Sequence, residues 1–426
     1  MTKNDKIYSS SISIITGAAL IVLGIIIYIF NVDFYNKTVF MAVIFSLINC
    51  LRHILKDLFK KTKKENLLLI FSSLIFSIVL LVIPSIPRSF LPLLFSSYLL
   101  LCSVFYFIFF LILLKDKGPK KFQKLFISIF YLIISVIIFL FPLKHVSFLL
   151  KLLAVYFITL GGFFITQAIY HLIPSKYKNI YKRKIRISLP VWLEAIVPYT
   201  VFIEINKMLK VEEKPDKIND NIDNNNTFEV LVHVSPNGFN RVGHVDLVYG
   251  NKVISYGNYD DSSKKFYTIV GDGVLFYTDK ETYIPFCMKH SNKVLFGFEL
   301  NINDEQRKHI EQKLNELNDQ LIEWTPPNIN SSEELKKIDY ASALYKSSKT
   351  KFYKFKKGKF KTYYLFGSSC CNLANELIGY SGIDFLKMNG LISPGSYYDC
   401  LNREYINKTG LVTKRNIYKL DDYNVK

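Results

Sequence analysis

Cysteine and histidine are the residue types in this chain whose placement could do chemistry together. Cys370 and Cys371 head a segment, 370–378, in which Leu373, Leu377 and Ile378 fall on one helical face. A cysteine at a helix N-terminus meets unpaired amides and the positive end of the helix dipole, and both favour thiolate over thiol. His244 comes earlier, in the run His244-Val-Asp-Leu-Val-Tyr249, which alternates as a strand does. An imidazole on a neighbouring strand can take the thiol proton and later hand it to a leaving group. That makes Cys370 the candidate nucleophile and His244 the candidate general base, with backbone amides at the helix start meeting the oxyanion.

Cys370 is preferred to Cys371 because counting from it puts Leu373 at i+3 and Leu377 at i+7. Counting from Cys371 puts Ala374 and Asn375 at its first positions, a poorer apolar face. Tyr256 and Asn258, on and just after the following strand, are the candidates to orient His244. His233, on the preceding strand, reads as structural, and would substitute for His244 only in a different register. Each residue also has a plainer reading: a free cysteine is usually a small buried hydrophobe, and a strand histidine a satisfied core group.

The elements that must hold these residues begin at Phe228. The run 228–234 reads as a strand and Ser235-Pro236-Asn237-Gly238 as a turn. The segment 244–256 is a hairpin turning at Gly250-Asn251. Extended runs follow at 266–277 and 293–300, then an amphipathic helix over 304–321 capped by Asn303 or Asp304. Another extended stretch, 354–366, leads through Gly367-Ser368-Ser369 to Cys370. The expected fold of 228–426 is α+β with an antiparallel sheet.

The first 175 positions differ in kind. They hold six apolar stretches of roughly 18–24 residues, near the ~20 that cross a bilayer. These are 11–30, 38–58, 67–84, 91–114, 125–142 and 148–173. The first has no small-residue cleavage site behind it and is read as a retained span rather than a signal peptide. The net charge of +19 suggests nucleic acid at first sight. Much of the basic excess instead lies in alternate loops, at 60–64, 115–124 and 176–186, where short Lys/Arg-rich loops mark the cytoplasmic side. Topology accounts for the charge, and no nucleic-acid partner is expected. The six cysteines have no regular spacing and no C-x-x-C pair, so neither a disulfide framework, a zinc site nor any other cofactor is implied.

Residues 176–227 join the halves. The apolar run 189–205 is broken by Pro190 and Pro198 and carries Glu194 and Glu204. A segment lying in the interface, with Trp192 at headgroup depth, fits these residues better than a seventh span that buries Glu194. The Asn-rich run 216–226 reads as a linker. Six spans leave both termini in the cytoplasm; a seventh would carry the C-terminal part outside.

The spans pair as three hairpins, and the odd-numbered ones resemble one another. Leu23-Gly24-Ile25-Ile26-Ile27-Tyr28-Ile29-Phe30-Asn31 has the form of 76–84 and of 134–142, a small residue followed by a branched and Leu-rich apolar run and then an exit residue. In this, residues 10–173 resemble the HdeD-type bacterial membrane proteins, six-span proteins of repeated hairpins. That resemblance implies an inner-membrane location, with an acid-stress association in some members and no reaction.

In the other half, Gly243-His244-Val245-Asp246-Leu247 followed by Ser369-Cys370-Cys371-Asn372-Leu373-Ala374-Asn375-Glu376-Leu377 resembles the circularly permuted papain-like thiol hydrolases. There the His strand precedes the Cys helix, the reverse of the NlpC-type peptidases; lecithin-retinol-acyltransferase-like proteins share the permuted order. The residue before the nucleophile, often Asn in that family, is Ser369 here.

The expectation is therefore a bacterial, multi-pass inner-membrane protein with a six-span domain (1–175), a joining segment (176–227) and a permuted papain-like soluble domain (228–426). It would act as a cysteine hydrolase or acyltransferase on an amide or ester. On the cytoplasmic side the substrates would be lipid acyl esters, lipidated proteins or isopeptides; on the outer side, cell-wall peptide. The alternative is a non-enzymatic stress-protection protein whose soluble domain only binds, with Cys370 buried and unpaired.

Overall fold

The computed structural model describes residues 3–60, 65–83, 85–172, 228–234, 242–291, 293–335, 337–380, 394–406 and 411–419. The expected interfacial segment at 189–205, the linker at 216–226 and the turn at 235–238 lie outside the described residues. The chain forms two compact units, Met1–Ile108 with Phe122–Pro174, and Phe109–Lys121 with Ser175–Lys426.

The first unit is helical: α1 (Lys3–Lys60), α2 (Glu65–Val82), α3 (Ser85–Lys115), α4 (Lys121–Leu140) and α5 (Pro142–Leu172). Among the described residues, four stretches are long and apolar enough to cross a membrane: Ser10–Leu55, Ser85–Lys115, Lys121–Leu140 and Pro142–Thr166. The first, at 46 residues, would run about 69 Å as one straight helix, over twice the hydrocarbon thickness. Asn31 interrupts it with φ 44° and ψ −116°. Ile70–Leu80 in α2 is a shorter apolar helix.

The distribution of side chains inverts that of a water-soluble bundle. Ile15, Phe45, Phe126 and Phe139 point outward, while Ser77, Ser96, Ser103, Ser128 and Ser135 are buried. Lipid supplies no hydrophobic drive between helices, so close packing and interhelical hydrogen bonds join them. Ser96 donates to the Ser135 carbonyl at 3.0 Å and Ser135 returns a bond to Ser96 at 2.9 Å. One heptad away, Ser103 and Ser128 repeat the exchange at 2.9 Å each way. Between α1 and α5 the seam is made of glycine: a Cβ on Gly17 would lie 2.7 Å from the Gly161 carbonyl, and one on Gly24 would lie 2.8 Å from that of Ala154.

The second unit is α+β, as the alternation from Phe228 onward predicts. Its strands are β1 (Phe228–Val234), β2 (Val242–Tyr249), β3 (Lys252–Gly257), β4 (Val270–Asp272), β5 (Val274–Asp279), β6 (Val294–Leu300), β7 (Leu321–Trp324), β8 (Lys351–Phe355), β9 (Thr362–Tyr364) and β10 (Val412–Tyr418). Its helices are α6 (Lys280–Ser291), α7 (Asp304–Asn318), α8 (Tyr340–Ser348), α9 (Cys370–Tyr380) and α10 (Pro394–Ile406). Eight strands form one antiparallel sheet in the order β10-β6-β1-β2-β3-β5-β8-β7; β4 and β9 pair apart from it. Helices α7, α9 and α10 cover one face through Ile310, Leu317, Leu373, Leu377 and Leu401. The other face packs on α6 and α8 through Tyr283, Ile284, Ala341 and Leu344. Central strands covered on both sides read as continuous apolar runs, and every residue of β1 is buried. The helix expected at 304–321 forms over Asp304–Asn318, with Asn303 as its cap in a reciprocal box with Gln306. Helices α6 and α8 have no counterpart in the sequence expectations; α6 carries Pro285 inside it.

Candidate active site

The β2–β3 hairpin opens where the site lies. Gly250, at φ 59°, makes the tight turn that glycine alone takes cheaply. Pairing then runs through Tyr249↔Lys252, Val248↔Val253 and Leu247↔Ile254, and goes no further. Beyond that point β2 still continues back to Val242 and β3 on to Gly257. The amide of Val245, on the stretch of β2 that pairs with β1 but not with β3, favours the Cys370 thiolate. Helix α9 brings that thiol to the opening: Leu373 and Leu377 anchor it in the core, and Asn372 Oδ1 accepts bonds from Ser369 N at 3.2 Å and Ser369 Oγ at 2.9 Å.

His244 and Asp246 sit two apart on β2, so the strand places both side chains on one face. His244 Nε2 lies 2.8 Å from Asp246 Oδ1. The same nitrogen is 2.8 Å from the Tyr259 hydroxyl and 3.1 Å from Ser255 Oγ, and those two hydroxyls lie 2.7 Å apart. With Nε2 so occupied, Nδ1 is the ring nitrogen left to serve the Cys370 thiol, whose charge favours the imidazolium. The carboxylate is held from its far side: Tyr283 donates to Oδ2 at 2.7 Å, and His233 Nε2 lies 2.6 Å from it. His233 is there because the register sets it opposite His244 across the β1–β2 pair.

Burial and charge compete at each group. Burial disfavours ionised Asp246, but His244 and His233 outweigh it and hold the carboxyl well below its usual range. Burial also pushes the His244 imidazolium down; Asp246 and the Cys370 thiolate more than reverse this and lift it to about 10. For His233 burial wins, and its pKa falls to about 4. His233 is therefore neutral, donating Nε2–H to the carboxylate. Cys370 is drawn well below the ordinary thiol range by the bond from Cys371 and, against burial, by His244 and the Val245 amide. Cys371, its Sγ 4.0 Å away, is driven up by burial and by its neighbour. The surroundings thus favour thiolate on Cys370 and imidazolium on His244, backed by one buried carboxylate.

Of the residues expected from sequence, Cys370 and His244 come together. Tyr256 and Asn258 do not reach the imidazole. Tyr256 belongs to the opposite sheet face, where its hydroxyl donates to the Phe360 carbonyl at 2.9 Å. The Asn258 amide bonds to the Thr268 carbonyl at 3.3 Å. The orienting contacts come from Asp246, Ser255 and Tyr259 instead. Asp246 was missed, although a signal for it existed: His-x-Asp on a strand puts the two on one side. Tyr259 carried no signal, because it arrives by the turn after β3. Cys287 is a buried thiol of the ordinary kind, 3.3 Å from the Tyr340 hydroxyl and pushed up to about 12 by burial. Among the described residues, no group of three His, Cys, Asp or Glu side chains is gathered as if to hold a metal ion. No protein-family model, curated protein or solved structure matches the chain.

Proposed function

We propose that this chain is a membrane-anchored thiol hydrolase or acyltransferase, with Cys370 as nucleophile, His244 as its acid–base partner and Asp246 as the group that orients and charges the imidazole. One observation carries this: at a helix N-terminus stands a thiol whose charge and that of an imidazole 2.8 Å from a buried carboxylate favour each other. The thiolate adds to the carbonyl carbon of an ester or amide, and the carbonyl electron pair moves to oxygen. The amides of the first turn of α9 face that oxyanion. On collapse, imidazolium Nδ1–H gives its proton to the departing alkoxide or amine, leaving a thioester on Cys370. Water or an acceptor hydroxyl or amine, deprotonated by the now neutral imidazole, then releases the acyl group. The order His strand before Cys helix, on an antiparallel sheet, is what a permuted papain-like hydrolase would have.

Around this site the first unit is proposed as six spans, the break at Asn31 dividing α1 in two and α2 supplying the third. A bacterial inner membrane is the proposed location, with the second unit on the cytoplasmic side. Support for that side comes from the segment Phe109–Lys121, the end of α3 and the turn after it, which belongs to the second unit and accepts at the Asp116 carbonyl from Gly358 N at 2.7 Å. That segment carries Lys115, Lys117, Lys120 and Lys121, the pattern of a cytoplasmic loop. The non-enzymatic alternative calls for a buried thiol with no base beside it. Cys370 is only 4% exposed, but its pairing with His244 has no purpose in a domain that merely binds.

The test is to trap the acyl-enzyme. The purified full chain is incubated with short- and long-chain activated esters and with a peptide amide, quenched in acid and mapped by mass spectrometry. An acyl adduct on the Cys370 peptide is expected, present in Cys371→Ser and absent from Cys370→Ala and His244→Ala. Equal turnover by Cys370→Ala, or no adduct from any ester, would overturn the assignment.

A further inference from the structure

A loop beside the nucleophile has backbone and side-chain properties that neither the core nor the thiol chemistry explains. Phe266, Tyr267 and Thr268 have φ of 50°, 52° and 72° in succession. Left-handed backbone is disfavoured for any residue with a Cβ, and occurs as single residues far more readily than as runs. The conformation is nonetheless pinned. Lys265 N bonds to the Val270 carbonyl at 2.8 Å and Val270 N to that of Lys265 at 3.3 Å. Inside that pair, Ile269 N bonds to the Phe266 carbonyl at 3.1 Å. The result is that two large aromatic side chains face away from the protein, Phe266 being 75% exposed and Tyr267 100% exposed. Leu365, 45% exposed, lies alongside, its amide 3.0 Å from the Ile269 carbonyl.

Water gives no reason to hold Phe and Tyr outward on a strained loop, whereas a bilayer interface does. Aromatic rings favour headgroup depth, where an apolar body and a polar tip are both satisfied. The neighbouring charge is mixed: Lys264 is ion-paired with Asp261, and Asp272 is held by Lys354, so Lys265 is the basic group nearest the tip. That balance fits insertion through aromatic rings rather than adhesion through charge. The same unit also contains chain that belongs at the bilayer. Phe109, within the apolar stretch Ser85–Lys115, packs on Tyr364 with ring centroids 5.9 Å apart and planes tilted by 35°, and its ring lies where a Cβ on Gly367 would go. Tyr364 directly precedes Leu365.

We infer that Phe266, Tyr267 and Leu365 form an interfacial anchor that inserts among the lipid headgroups of the membrane carrying this chain. β9 runs from this patch through the turn 365–369 into Cys370, so the anchor fixes the opening of the site next to the bilayer. Entry of a bilayer-resident acyl ester follows if the proposed thiol chemistry holds; the anchor itself does not depend on it.

The experiment is depth-dependent quenching in the full chain, reconstituted into phosphatidylcholine–phosphatidylglycerol vesicles. Trp192 and Trp324 are the only tryptophans, so Trp192→Phe with Trp324→Phe gives a silent background. Into it go Tyr267→Trp, Phe266→Trp and, as a solvent-facing control on α8, Tyr345→Trp. Tryptophan at 266 and 267 should emit to the blue of the control. It should lose at least half its emission to lipids brominated high on the acyl chain, and should be at least threefold less sensitive than the control to aqueous iodide. Emission and iodide sensitivity equal to the control, with no quenching by brominated lipid, would overturn the anchor. Neither outcome involves turnover, so failure of the anchor and failure of the thiol chemistry are read separately.

Discussion

Asp246→Asn keeps the shape of the side chain that backs His244 and removes its charge. The carboxylate oxygen stands 2.8 Å from Nε2. At an effective dielectric of about 20, a charge pair at that separation is worth roughly 6 kcal/mol. A second route gives a similar size. Against burial, Asp246 and the thiolate lift the imidazolium from 6.5 to about 10, a net rise worth about 5 kcal/mol. The carboxylate is the larger of the two raising influences. An amide in its place retains a dipole and halves the loss, leaving about 3 kcal/mol, or ~100-fold, against the thiolate–imidazolium form. The sign is fixed: without its counter-charge the imidazolium pKa falls, and the thiol, losing a cation beside it, rises toward the free value. The assay is the rate of iodoacetamide alkylation at the Cys370 peptide across pH, in a Cys371→Ser background. The parent should alkylate at a rate nearly flat from about pH 6 to 8.5, because the thiolate is already formed. Asp246→Asn should be ~100-fold slower near pH 7 and climb about tenfold per pH unit until it meets the parent above pH 9. Meeting there shows that access is unchanged. A flat profile within twofold of the parent would mean that the carboxylate does not charge the pair, and the proposed role of Asp246 would be wrong.

His233 sets an acid limit on stability. Its folded-state pKa of about 4 is below its ordinary 6.5, so its contribution is complete above pH 6.5 and is lost as pH falls toward 4. The loss amounts to about 3 kcal/mol across that window. Melting of the second unit should drop over the same range, and His233→Gln should flatten the slope; equal slopes in both proteins would rule the group out. In the first unit the glycines differ sharply in what surrounds them. A Cβ on Gly161 would meet the Gly17 carbonyl and the Ile21 side chain, whereas one on Gly162 has nothing within 4 Å. Gly161→Ala should cost about 1–3 kcal/mol, and Gly162→Ala should cost nothing, read as the midpoint of heat-induced aggregation in detergent. Identical midpoints would dismiss the glycine seam between α1 and α5.

Much of the architecture was legible because it follows from local pattern. Apolar runs of membrane length, lysines in alternate loops and a small residue ahead of each branched apolar run identify the helical half. The alternation at 228–234 and 244–256, with Gly250-Asn251 between, gives β1, β2 and β3 nearly to the residue. The start of α9 at Cys370 also agrees, since a turn of Gly and Ser followed by leucines at i+3 and i+7 allows little else. Helix α6 was not legible: Pro285 lies inside it, and it is buried through Tyr283, Ile284 and Phe286 against the sheet rather than held by propensity. Tertiary packing overrides local preference there.

The sequence by itself determined which residues could react. A thiol at a helix start and a histidine on a strand are local facts, set by the periods of helix and strand; the third group was read as Tyr256 or Asn258, and the fold put Asp246 there instead. Only the tertiary structure decided how they act. The parting of β2 from β3 exposes the Val245 amide to the thiol, and the β1–β2 register aligns His233 with His244. The turn after β3 brings Tyr259 to Nε2 while Tyr256 faces the other layer. Protonation was decided there as well. Two histidines on one buried carboxylate end in opposite states because His244 also faces a thiolate, at 15% side-chain exposure, and His233 faces none, at 2%. Charge in a low-dielectric interior depends on which groups the fold assembles around it, and spacing along the chain does not encode that.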